Sequence, residues 1–120
     1  MKLRETFLQA VVLVQAEDDA REAWLAMNRK NAPWVAVFEG VRPEGGRLVG
    51  LLDGRDLEGA LAPEVFVTAG DLAAGERPSR RAIRLSPDGE LEEALAQLGL
   101  AGADAGFVEG RGRPPGVLVR

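Results

Sequence analysis

Two aspartates three residues apart, Asp53 and Asp56 in the stretch RLVGLLDGRDLEGAL, have the types and spacing in this sequence that point most directly to chemistry. They follow an apolar run and precede a helix-like tail, so they sit where a strand turns into a helix. At such a turn Asp53 suits an N-cap, because its carboxylate accepts hydrogen bonds from the first free N–H groups of the helix. Asp56 then falls in the first turn, where negative charge is favoured by the helix dipole. A carboxylate at that turn has a second use if a cleft opens beside it: it can accept two hydrogen bonds from a ribose diol. Asp53, Asp56 and Glu58 also have the types of a divalent-cation set, although three exposed acids on one turn are ordinarily just solvated.

The remaining inventory is poor in reactive groups. The 120 residues include no His, no Cys and no Tyr, two serines (Ser79, Ser86), two threonines (Thr6, Thr68) and two lysines (Lys2, Lys30). Ser-His-Asp and Cys-His nucleophiles are excluded, as are metal sites built on His or Cys. Acid–base work would fall to Asp, Glu or Lys alone, so the expectation is a non-catalytic protein with no catalytic cofactor and no metal. The net charge of −4 argues against nucleic acid, which calls for a basic face. The one basic cluster, Arg77, Arg80, Arg81 and Arg84 in RPSRRAIR, is short and has no aromatic interleaving; it reads by default as a solvated linker, with phosphate contacts in a cleft as the alternative. Gly110 to Gly112 (GRG) is a turn without the setting of a phosphate loop. Trp24 and Trp34 fall at core positions of a helix and a strand. No apolar stretch is long enough to cross a bilayer and no secretory leader is evident, so a cytoplasmic location away from membranes is expected; the lack of cysteine is consistent with it.

The elements that position the aspartates occur twice. VVLVQAEDDAREAWLAM gives a β-branched run, an acidic turn and an amphipathic helix, and AIRLSPDGELEEALAQL gives the same three parts. The apolar helix positions correspond one for one: Ala20, Ala23, Trp24 and Met27 against Leu91, Ala94, Leu95 and Leu98. Both follow the spacing of a single buried stripe. Asp18 or Asp19 marks the first helix start, and SPDGE the second. Each copy continues with a strand, APWVAVFEG from Ala32 or DAGFVEG from Asp104, then a polar turn, then a closing strand, RLVGLLD or PGVLVR. Gly50 and Gly116 fall at equivalent points. The first copy adds a helix from about Gly54 to Leu61, whereas the sequence stops at Arg120 where the second would begin. PEVFVTAGDLAAGERPS joins the copies. Neither half holds enough core to stand alone, so the two are expected to pack as one domain.

This order of elements resembles a tandem CBS-domain pair, or Bateman module, over nearly the whole chain. GRLVGLLDGRDLEGAL looks like the family's strand-to-helix signature, APWVAVFEG like the strand before it, and SPDGELEEALAQL like the helix entry of a second repeat. The resemblance implies an α/β fold of two pseudo-symmetric repeats, each strand-helix-strand-strand-helix, with short three-stranded sheets and helices packed between them. Residues 1–62 would form the first repeat, and 63–120 the linker and a second repeat lacking its final helix. It also implies a non-catalytic regulatory module that binds an adenosine-containing ligand (AMP, ADP, ATP or S-adenosylmethionine) between the repeats. By position in the family, Asp56 would hold the ribose and the groups around Val12, Val14, Ala32 and Pro33 the adenine. Asp53 stands where the family places a Thr or Ser against a phosphate, and a carboxylate there repels a bare phosphate at short range. Val119 occupies the same place in the second copy. A homodimer and an unidentified regulated protein are the expected partners. The alternative is a degenerate pair that only dimerises or docks, without a ligand.

Overall fold

A computed structural model of the chain describes residues 1–40, 46–61, 66–74, 83–110 and 114–120. The first copy forms strand β1 (Gln9–Gln15), helix α1 (Ala20–Lys30), strands β2 (Trp34–Glu39) and β3 (Arg47–Asp53), and the short helix α2 (Gly54–Glu58). A second short helix, α3 (Ala69–Ala73), precedes the second copy, which forms β4 (Arg84–Leu85), α4 (Leu91–Ala101), β5 (Ala105–Val108) and β6 (Gly116–Val119). None of the described helices is long and apolar enough to cross a membrane.

The two long helices are built alike. In α1, Asp19 caps the start by accepting the Arg21 N–H at 2.8 Å, while Asp18 accepts the Gln15 N–H at 2.9 Å and closes the preceding turn. Glu90 occupies the cap of α4 without a side-chain bond. Both helices end in a left-handed residue, Asn31 (φ 51°) and Gly102 (φ 66°), the two residue types that adopt this conformation most readily. Ala20, Ala23 and Met27 of the first stripe are buried with Trp24 half-buried; Ala94 and Leu98 of the second are buried with Leu91 and Leu95 half-buried.

Each helix carries the chain between parallel strands: β1 runs parallel to β2 and β4 to β5, and β3 and β6 return antiparallel. The halves join where β1 meets β6, through Gln9 opposite Val117 and Ala10 opposite Gly116, which gives one six-stranded sheet in the order β3-β2-β1-β6-β5-β4. Its middle is a cluster whose described members are all strand residues, from both halves, including Ala36, Phe38, Leu51, Ala105, Phe107 and Val117. There Phe38 and Phe107 meet edge-to-face, with ring centroids 5.4 Å apart. The helices cover the opposite faces, α1 to α3 over Val35, Val37 and Leu52, and α4 over Leu85, Val108 and Leu118. The expectation of helices packed between the sheets is therefore corrected: strand meets strand at the centre, because residues of alternate parity in β2, β3, β5 and β6 are apolar on both faces.

Three boundaries also differ from expectation. Strands β2 and β5 begin at Trp34 and Ala105, two and one residues later than anticipated, because Ala32 and Ala103 still donate their N–H to the helix ends at Met27 and Leu98, and Pro33 has no N–H to give a ladder. Helix α2 ends at Glu58, before Leu61, with Gly59 as its C-cap. Within the joining segment, α3 has a capping box in which the Thr68 hydroxyl accepts the Asp71 N–H at 3.1 Å.

The segments that lead into the two copies are exchanged. Leu3 and Arg4 donate backbone hydrogen bonds to the carbonyls of Gly89 and Pro87 at 2.9 and 3.0 Å, and Leu91 donates to Met1 at 2.8 Å. In the same pattern Ala69 and Gly70 donate to Asp18 and Ala16, both at 2.8 Å, and Ala20 donates to Val67 at 2.9 Å. The chain start is thus fastened to the acidic turn of the second copy, and the start of the second copy to that of the first. The closing strands must let these segments pass. A Cβ on Gly50 would lie 3.0 Å from that of Ala73, and one on Gly116 would lie 2.7 Å from that of Leu8. That close approach is why both copies carry glycine at this point.

Candidate functional site

The strand directions bring the start of β1, the start of β2 and the end of β3 to one edge of the sheet, where Val11 lies opposite Trp34 and Trp34 opposite Asp53. Here the two aspartates form a reciprocal capping box. Asp53 Oδ1 accepts the N–H groups of Arg55 and Asp56 at 3.0 and 3.2 Å, and Asp56 Oδ2 accepts the Asp53 N–H at 3.0 Å. The box starts a helix whose Leu57 is fully buried in the cluster under α1. The capping role expected of Asp53 is therefore seen in its bonds, and Asp56 shares it. Among the described residues no group of acids is arranged to hold a metal ion.

The expected adenine-contact residues divide. Val12 and Ala32 line one open cavity of about 870 Å³, while Val14 packs deeper along β1 against the helix-side cluster, and Pro33, Asp53 and Asp56 do not line that cavity. Its other walls come from Leu13, from Arg29 and Lys30 in the last turn of α1, and from Pro114 and Pro115 of the opposite half. It is therefore an inter-repeat cavity: its strand and helix belong to the first copy and its proline wall to the second. Arg29 and Lys30 are exposed and make no ion pair among the described residues, so two cationic groups border a slot whose other described side chains are apolar. Sequence reasoning missed both. In the sequence they complement the carbonyl end of α1, and only their place just before Ala32 hints at more. The prolines could not be found locally, since the fold brings them from the far end of the chain.

Other candidates fall into structural roles. The Trp34 indole N–H donates to Gln9 Oε1, and its ring packs on the central cluster. Arg84 lies with its guanidinium 5.4 Å above the Phe38 ring and donates to the Gly46 carbonyl at 3.0 Å, which ties β4 to the edge of the first half. Arg77, Arg80 and Arg81 lie outside the described residues. Val119 pairs with Ala105 just as Asp53 pairs with Trp34, so an apolar residue holds the equivalent place in the second half.

No protein-family model and no curated protein matches the sequence. Solved structures do match over almost its full length. A CBS domain protein from Pyrobaculum aerophilum complexed with AMP has a TM-score of 0.68 at 16% identity, covering 99% of this chain and 87% of that one. The CBS domain pair of a protein in complex with 5′-methylthioadenosine and S-adenosyl-L-methionine has a TM-score of 0.61 at 15% identity, covering 99% and 92%. A CBS-domain containing protein from Agrobacterium tumefaciens has a TM-score of 0.58 at 18% identity, covering 98% and 84%. With two copies of one strand-helix-strand-strand unit, exchanged lead-in segments and this set of neighbours, the chain is folded as a tandem CBS-domain pair.

Proposed function

We propose that the chain is a non-catalytic regulatory module that binds an adenosine-containing ligand between its two halves. The observation that carries this reading is the inter-repeat cavity. Its volume of about 870 Å³ lies within the usual range for small-molecule sites, two of the expected adenine-contact residues line it, and it is rimmed by Arg29 and Lys30. In this reading Val12 and Ala32 contact the base, with Val14 and Pro33 backing them. Asp56 holds the ribose. A carboxylate has several acceptor positions, so bonding the Asp53 N–H and a sugar hydroxyl are compatible tasks. Asp53 next to the same ligand disfavours an unscreened phosphate and favours adenosine, a magnesium-bridged nucleotide or a sulfonium such as S-adenosylmethionine. A ligand touching both halves favours the arrangement of the halves it fits best, and so one state of a regulated partner. Assembly as a homodimer in the cytoplasm belongs to the same proposal.

A second reading, a ligand-free dimerisation or docking module, is favoured by one observation: both aspartates already have structural work in the capping box. Calorimetric titration with adenosine, AMP, ADP, ATP with and without Mg²⁺, and S-adenosylmethionine separates the two. The ligand-binding reading expects at least one measurable affinity, weakened at least tenfold by Asp56→Ala. Silence across the whole panel favours the docking module.

A further inference from the structure

We infer that Phe7 is the stacking wall of this site, holding a planar base where two cavities meet; the inference rests on the adenosyl-ligand reading above. A second cavity, of about 370 Å³, adjoins the first and shares Ala10, Pro114 and Pro115 with it. Among the described residues its lining includes Phe7, Leu8, Pro87 and Val108, and none of those lining side chains is charged. Among the described residues Phe7 is the only aromatic one lining either of the two cavities. Trp34, the other aromatic near this edge, is occupied by Gln9 and the central cluster.

The side chain of Phe7 is 86% exposed, although the residues on either side are pinned. Thr6 donates its N–H to the Leu3 carbonyl at 3.0 Å, Leu8 packs so closely on Gly116 that no Cβ fits there, and Gln9 is paired with Val117. A lone exposed apolar side chain on a surface calls for no explanation. Phe7 differs in standing on a fixed backbone beside a slot whose described side chains are uncharged and which shares residues with the cavity lined by Val12 and Ala32. A phenylalanine there has two side-chain torsions to fix and a flat apolar face to offer, the combination that makes aromatic residues efficient contact surfaces. The proline pair shared by both cavities adds further apolar surface to the same lining. An aromatic face and a proline surface together suit a flat, uncharged ring system, which a nucleobase supplies; Arg29 and Lys30 line the first cavity and not the second.

The test is calorimetric titration of adenosine into the full chain and its Phe7→Ala, Phe7→Leu and Phe7→Trp variants. Because the side chain is exposed, all four proteins should melt at the same temperature. Loss of base stacking should weaken adenosine binding by roughly tenfold or more in Phe7→Ala. Phe7→Leu should be equally weak, since it is apolar but not planar, and Phe7→Trp should bind at least as well as the unaltered chain. Wild-type affinity in Phe7→Ala or Phe7→Leu overturns the stacking role and leaves the adenosyl reading standing. Absence of adenosine binding by the unaltered chain, with silence from the other adenosyl compounds, overturns both.

Discussion

The edge-to-face contact of Phe38 with Phe107 joins the two halves at their centre, and its strength can be measured apart from any ligand. Both rings are essentially solvent-free, at 0% and 1% exposure, with centroids 5.4 Å apart. Truncating either to alanine would cost roughly 3–5 kcal/mol. A domain of this length has a total stability of about 6–18 kcal/mol at the usual value per residue, so the double alanine variant removes most or all of it and is the wrong probe. Leucine keeps most of the volume and removes the aromatic edge-to-face geometry. Each Phe→Leu change should then cost roughly 1–2 kcal/mol, combining imperfect repacking with loss of the aromatic pair. The double variant should lose less than the sum of the singles, by about 0.5–1 kcal/mol, because the pair can be lost only once. Urea unfolding reads this directly, each single change moving the midpoint by roughly 0.5–1 M at an m-value of about 2 kcal/mol/M. Strict additivity, or singles that cost a few tenths of a kcal/mol, would refute a strand-to-strand centre held by these two rings.

Further predictions follow from the same geometry. Gly70→Ala places a Cβ 2.8 Å from that of Ala16 and 2.9 Å from its carbonyl oxygen; it should destabilise by about 1–3 kcal/mol in thermal unfolding. Gly59→Ala, at φ −63° with its nearest neighbour 3.6 Å away, should be neutral or stabilise by up to about 1 kcal/mol. Asp53→Ala should cost about 1 kcal/mol and speed amide exchange in α2, while Asp53→Thr, which preserves the cap, should cost little; equal losses for both would refute the capping role. Leu3→Ala empties a position buried to 1% and should cost about 2–4 kcal/mol, whereas Phe7→Ala nearby should cost almost nothing. The exposed ion pairs Arg4–Asp88 and Arg47–Glu39 should each be worth under 1 kcal/mol, so 1 M NaCl should barely move the melting temperature.

What could be read in the sequence was what local chemistry decides. The stripes of α1 and α4, the capping of α1 by Asp19, the cap at Asp53 and the equivalence of Gly50 with Gly116 all show in residue type and spacing, because each is set by neighbours a few positions away. The features that escaped depend on contacts distant along the chain. Nothing in Met1 to Thr6 resembles VTAGDL, although both segments dock in the same way, because what docks is backbone and any residue type supplies that. Likewise Arg29 and Lys30 look like ordinary helix-end cations until Pro114 and Pro115 arrive from the other half to close a cavity beside them.

The exchange of the lead-in segments makes the two halves mutually dependent in a way that a simple linker would not. A fragment ending near residue 62 would carry the clasp of its absent neighbour and lack its own; the complementary fragment would have the converse defect. Neither piece should fold well by itself, yet mixed together they should find each other, because each holds the part the other is missing. A chain divided at that junction would thus behave as a split reporter, with reassembly encoded in a few backbone hydrogen bonds on either side.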